Sequence, residues 1–274
     1  MPYANVNGID IYYELHGESG EPLVLVHGYT GDITDWRHQL PFFSRRHRVL
    51  VFDNRGHGRS QAPPDRSAYS VEQMAADVQA LTEQLGFQRF HLLGHSMGGA
   101  VVQEVALETP ERLLSLTLQN TADGFANVFT NPALAAWRDW RFRVAEEQGM
   151  AAVAAMEAPL PPPPHMPKER LDETRERLAR MSVDAFIGAW QGLLSWRGTP
   201  GRAQAIRLPT LVVWGELDTP FIIEGSQRLA NAIPQAEPVV IPECGHSPQY
   251  ERPALFNAAL GGFLERVSQG TAPR

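Results

Sequence analysis

In LLGHSMGGA, residues 92–100, one serine has a glycine two residues before it and another two residues after it. A solvent-exposed serine has no need of such neighbours. A serine held on a tight turn from strand to helix does, because Gly94 and Gly98 remove the Cβ atoms that would collide there and let the chain take a strained conformation that projects the hydroxyl outward. The flanks fit that placement. RFHLL at 89–93 reads as a short buried strand, and AVVQEVAL at 100–107 repeats apolar residues at helical spacing. Ser96 therefore sits on a G-x-S-x-G nucleophile elbow. A serine hydroxyl is a weak nucleophile near neutral pH, so it needs a histidine to take its proton and a carboxylate to fix the tautomer of that histidine. Asp218 lies just beyond the apolar run TLVVWG, in GELD, and His246 lies just beyond EPVVIPE, in CGH. Two other roles stay open at this point. Asp218 precedes Thr219-Pro220 and could cap the following helix, and Asp123, in NTADG after the run SLTL, is the replacement acid. His57 and His95 are expected to make local structural hydrogen bonds.

Acyl transfer also needs donors for the oxyanion that forms at the attacked carbonyl. The Met97 N–H, directly after the nucleophile, is one candidate. The second comes from the loop HGYTG at 27–31, with the Tyr29 N–H best placed. The Tyr29 side chain is either an acyl-pocket wall or a structural aromatic. His27 is read as support for that loop and is counted with the pocket lining.

The elements that would position these groups are legible as apolar runs at 22–26, 48–52, 89–93, 115–118, 210–214 and 237–241. Helical patterns fall at 33–44, 71–85, 100–108 and 221–232. Alternation of apolar strands with helices predicts a mainly parallel sheet covered on both faces. Asn7-Gly8 marks a hairpin joining residues 3–6 to 9–15, an antiparallel edge that brings the strand total to eight. The rhythm breaks between Leu118 and Thr210, where the patterns at 133–148, 168–181 and 183–194 are helical. This predicts a core domain of 1–120 and 206–274 with a helical lid inserted at 121–205. Four consecutive prolines at 161–164 are expected as an extended linker. Four of the six tryptophans, Trp137, Trp140, Trp190 and Trp196, fall in the lid. As a group, and with Phe186, they point to an apolar pocket wall, although any one could simply pack lid onto body.

Length and composition narrow the function classes. A chain of 274 residues can bury one large core with an inserted subdomain. No apolar run approaches the roughly 20 residues of a membrane helix. A formal charge of −7 without a basic stripe argues against a nucleic-acid partner and for an uncharged or apolar small molecule. The start, MPYANVNGIDIYYELHG, has no basic segment followed by an apolar one, so a cytoplasmic location is expected. The single cysteine, Cys244, excludes an internal disulfide, and no Cys/His cluster has zinc spacing. Neither a metal nor another cofactor is expected. The terminal SQGTAPR reads as a frayed tail.

HGYTG, DNRGHGRS, GHSMGG, GELD and GHSPQYE stand in the order and at the spacing of the α/β-hydrolase superfamily, which this chain resembles over nearly its whole length. YSVEQMAADVQALTEQLG and TPERLLSLTLQNTA are similar to bacterial 3-oxoadipate enol-lactonases, in the esterase and haloperoxidase-like branch, and acyl-homoserine lactonases of this fold look similar too. The resemblance implies an α/β-hydrolase fold and the chain order Ser96, Asp218, His246 for a triad. Relatives that are epoxide hydrolases or haloalkane dehalogenases place aspartate where this chain has Ser96, and dienelactone hydrolases place cysteine there, whereas Cys244 lies off the elbow. The expected activity is hydrolysis of carboxylic esters or lactones of hydrophobic small molecules through an acyl-enzyme. The alternatives are a carbon–carbon bond hydrolase with the same triad and a ligand sensor built on the fold.

Overall fold

The computed structural model of the chain describes residues 3–127, 132–156 and 165–272. Eight strands form one sheet: β1 (Tyr3–Val6), β2 (Ile9–His16), β3 (Pro22–Val26), β4 (Arg48–Phe52), β5 (Phe90–His95), β6 (Leu113–Gln119), β7 (Thr210–Gly215) and β8 (Ala236–Ile241). Their order across the sheet is β1-β2-β4-β3-β5-β6-β7-β8. The β1–β2 and β2–β4 pairs are antiparallel, and every other pair is parallel. Asn7 and Gly8 both take positive φ, 49° and 79°, as a two-residue hairpin turn demands, and Val6 pairs with Ile9 across it.

Helices cover both faces: α1 (Leu40–Phe43), α2 (Val71–Gln84), α3 (Met97–Glu108), α4 (Pro132–Gln148), α5 (Met150–Met156), α6 (Lys168–Arg180), α7 (Val183–Ser195), α8 (Pro220–Ala232), α9 (Pro248–Glu251) and α10 (Pro253–Ser268). The period of two along each strand divides the core between two layers. Val24 and Val26 of β3 pack with Met74 and Val78 of α2 and Val101 of α3, whereas Leu23 and Leu25 pack with Phe256, Leu260 and Phe263 of α10. Every residue of β3 is buried, each Leu or Val contributing roughly 1.5–3 kcal/mol. A third cluster joins Val144, Met150, Val153, Leu178 and Phe186 among α4, α5, α6 and α7. These four helices lie in sequence between β6 and β7.

The structure departs from the sequence reading at several element ends. The pattern at 33–44 breaks into a 3₁₀ turn, Ile33–Trp36, and the single turn α1, because Asp32 caps the first through Thr34 N and Pro41 opens the second. Helix α3 starts three residues earlier than expected, directly after Ser96. The sequence reading predicts no helix at α5, α9 or α10. The proline run at 161–164 lies outside the described residues. In the tail, Thr271 N and Ala272 N donate to Arg266 O, so the described part folds back on α10.

Candidate active site

The loops that follow β3, β5, β6, β7 and β8 all leave the carboxyl edge of the sheet, where open parallel sheets assemble their sites. Ser96 stands between β5 and α3 with φ 54° and ψ −115°, a conformation that costs about 1–3 kcal/mol and persists only where its surroundings hold it. They do so here. Ser96 N donates to Gln119 O at 2.9 Å, and Ser96 O accepts from Gly99 N at 2.9 Å and Thr121 Oγ1 at 2.8 Å. A Cβ at Gly94 would collide with the Gly98 carbonyl, and one at Gly98 with the carbonyls of Val26 and His27. All these obstacles are backbone, which cannot swing aside. Gly98→Ala is therefore expected to lower stability by about 1–3 kcal/mol, whereas Gly262→Ala, inside α10 with only the end of Arg266 near its Cβ, should be neutral or raise it by up to about 1 kcal/mol. Thermal unfolding of the pair checks this: equal and small shifts would contradict it.

His246, on the loop after β8, lies with Nδ1 2.7 Å from Asp218 Oδ2. The Asp218 carboxylate is buried and fully engaged, since Oδ2 also accepts from Asn120 Nδ2 at 2.7 Å and Oδ1 from Thr219 N at 2.6 Å. Burial alone would raise its pKa, but His246, Asn120 and Thr219 outweigh this and hold it below the usual carboxylate value. Burial alone would likewise lower the pKa of His246, but Asp218, by charge and hydrogen bond, brings it above the ordinary imidazole value. Thr219, not Asp218, stands at the N-cap of α8. Asp123 is taken by Arg228, whose Nη2 donates to Oδ1 at 2.8 Å.

Ser96 and His246 line one cavity of about 250 Å³, together with Tyr29, His95, Arg170 and Arg177. Met97 opens α3, so no preceding turn of helix offers its N–H an acceptor. Tyr29 lies across the same cavity. His27 does not line it. It is fully buried beneath the loop, its Nδ1 donating to Gly28 O at 2.8 Å and its Nε2 accepting from Asn54 N at 2.9 Å. His57 and His95 are also buried, and burial pushes each down to about 3, so both stay neutral. The His95 Nε2–H donates to His246 O at 2.8 Å and so steadies the histidine loop.

Residues 21–253 match the family described as the alpha/beta hydrolase fold. The chain belongs to that family. It is 31% identical over 277 residues to a protein assigned by name to carbamate hydrolysis, RutD of Azorhizobium caulinodans, the match covering 98% of this chain and 100% of the other. Among solved structures, the enol-lactonase of Burkholderia xenovorans LB400 superposes with a TM-score of 0.82 at 28% identity, over 96% of this chain and 100% of that one. Est816, described as an N-acyl homoserine lactone degrading enzyme, superposes with a TM-score of 0.79 at 28% identity, over 96% of this chain and 100% of that one.

In this α/β-hydrolase chain the aromatic residues picked from the sequence are placed apart from Ser96. Trp137, Phe186 and Trp190 line a second cavity of about 90 Å³, and Tyr29 is shared by both. The Tyr29 ring stacks 4.9 Å from Trp190, and its hydroxyl donates to Phe186 O at 2.7 Å. Trp140 lines neither of these cavities and is 41% exposed. Trp196 is buried against the body, its Nε1–H donating to Glu104 Oε1 at 2.5 Å, so it packs α7 onto α3. Sequence reasoning passed over three groups. Asn120 links Asp218 to the Gly245 carbonyl, Glu251 brackets His246 by accepting from Gly245 N and Ser247 N, and Arg170 and Arg177 reach the cavity from α6. The first two stood in the motifs QNTA and GHSPQYE. The arginines carried no signal in a charged helix.

Proposed function

We propose that this chain is a serine hydrolase of carboxylic esters, lactones included, working through an acyl-enzyme without a cofactor. The observation that carries the reading is the convergence on one cavity of a serine at positive φ and a histidine bound to a buried, fully engaged aspartate. Neutral His246 takes the Ser96 proton as Oγ attacks the carbonyl. The oxyanion is held by the N–H groups of Tyr29 and Met97, and protonated His246 then passes its proton to the departing alkoxide. Water, deprotonated by the same imidazole, releases the acid. With a lactone the departing alkoxide stays tethered to the acyl group. Helices α4 to α7 act as the lid, and the aromatic cavity beyond Tyr29 is the place for an apolar substituent.

Names among the relatives support acyl-carbonyl substrates: an enol-lactonase, a degrader of acyl-homoserine lactones and a protein named for carbamate hydrolysis. The test is steady-state hydrolysis of short and medium p-nitrophenyl esters, a medium-chain acyl-homoserine lactone and an alkyl carbamate. Turnover fits the reading, and the ratios of kcat/KM rank the classes. A folded protein that turns over none of them would move carbon–carbon hydrolysis and ligand sensing ahead.

The base must be unprotonated to act. Because Asp218 raises the pKa of His246 above 6.5, kcat/KM is expected to climb with pH, with its midpoint above that value, and then to level off. A rate that is flat from pH 5 to 8 would contradict the assignment of the base.

A further inference from the structure

The Ser96 cavity holds a carboxylate that the mechanism does not use. Asp35, on the 3₁₀ turn Ile33–Trp36, lines that cavity with a side chain only 5% exposed. Its two oxygens are engaged unequally. Oδ1 accepts from Arg170 Nη2 and from Arg177 Nη1, the latter at 2.8 Å. Oδ2 accepts from no group among the described residues, and the protein does not seal it off. It lies against Gly31, at the end of the loop that carries Tyr29, where a Cβ would come within 2.6 Å of it. Burial alone would raise the Asp35 pKa, but Arg177 and Arg170 hold it well below the usual carboxylate value. The group therefore accepts hydrogen bonds and does not donate them. Arg177 Nη1 also reaches Asp32 Oδ1 at 3.2 Å, so two acids and two arginines cancel, and a ligand need bring no charge of its own.

A buried carboxylate oxygen left without a donor is costly, and a ligand that brings one removes the cost. We propose that Asp35 Oδ2 is a specificity subsite of the Ser96 cavity, accepting from a neutral hydroxyl or amide N–H on the acyl part of the substrate. The acyl part is favoured because the loop against Oδ2 is the one assigned to the carbonyl oxygen. The proposal rests on the reading of that cavity as the hydrolytic site. It keeps the uncharged substrate expected from the charge of −7 and adds the polar group that such a substrate must carry.

Two pairs of phenyl esters test it, each replacing the donor by an isosteric carbon: the N-acetylglycinate against the 4-oxopentanoate, and the 3-hydroxybutanoate against the 3-methylbutanoate. In Asp35→Asn the amide oxygen must stay on Arg170 and Arg177, which turns its NH₂ into the cavity. The donor-to-carbon ratio of kcat/KM should then fall by about 10- to 100-fold in at least one pair, and that pair identifies the donor. Intrinsic ester reactivity cancels between the two proteins, and a loosened α6 would lower both members of a pair alike. Ratios unchanged in both pairs would overturn the subsite and leave Asp35 as an anchor for α6. The benzyl ketones of the same four acyl groups cannot be hydrolysed, so their calorimetric binding gives a readout independent of turnover. The wild type should bind at least one donor-bearing ketone about tenfold or more tightly than its carbon partner. Equal affinities within both pairs would overturn the proposal, and this comparison stands even if Asp35→Asn does not fold. A ketone preference that Asp35→Asn abolishes, in a protein that hydrolyses none of the esters, would keep the subsite and reject the hydrolase reading.

Discussion

Ser96→Ala is expected to lower kcat by about 10⁵- to 10⁶-fold, because removing the nucleophile from a serine triad costs nearly as much as removing the whole triad. The fold should survive. The strained backbone at 96 is held by its own N–H and carbonyl, through Gln119, Gly99 and Thr121, and not by its side chain. The melting temperature should therefore move by only a few degrees while turnover disappears. Steady-state rates beside thermal unfolding check both halves. A loss of less than about tenfold would remove Ser96 from the chemistry, and a collapse of stability would make the elbow, not the hydroxyl, the cause.

Asp218→Asn should lower kcat by about 10³- to 10⁴-fold by trapping the wrong tautomer. The donors around Asp218 dictate this outcome. Thr219 N must still be met by an oxygen at the Oδ1 position, which turns the new amide nitrogen toward both His246 Nδ1 and Asn120 Nδ2. Facing a donor, His246 carries its proton on Nε2, where the base should be empty. With the Asp218 charge gone, burial is opposed only by the Glu251 charge, so the acid limb of the residual rate should shift to lower pH. Asp123→Asn is the control. Its carboxylate pairs with Arg228 of α8 and makes no hydrogen bond to Asp218 or His246, and the rate should stay within about threefold. A large loss at Asp123 and a small one at Asp218 would exchange their roles.

Much of this site was legible because its residues serve backbone geometry as well as chemistry. Gly94 and Gly98 had to be small for the turn to form, so the turn announced its serine. The apolar runs that became β3, β5 and β7 are buried on both faces, which points to a parallel sheet and with it to the edge on which Asp218 and His246 emerge. The lid was harder. Helix α6 is amphipathic and charged, and Arg170 and Arg177 look in the sequence like any solvated face; only packing against Asp35 reveals that they are buried. The tryptophans failed in the opposite direction. Apolar character drew attention to Trp137 and Trp140, yet both remain over 40% exposed, and Trp196 is spent on joining α7 to the body. Helix α10 was legible, since Phe256, Leu260, Phe263, Leu264 and Val267 recur at helical spacing, and only their packing against β3 and β4 shows that this terminal segment belongs to the core.

Among the described residues no helix is long and apolar enough to cross a membrane. The central claim is that Ser96 becomes covalently acylated. Treating the enzyme with a fluorophosphonate ester, then measuring intact mass, residual activity and the labelled peptide, tests it most directly. One adduct per chain, on Ser96, with activity falling in proportion, is the predicted result. Labelling at another residue, or full turnover after Ser96 is occupied, would contradict it.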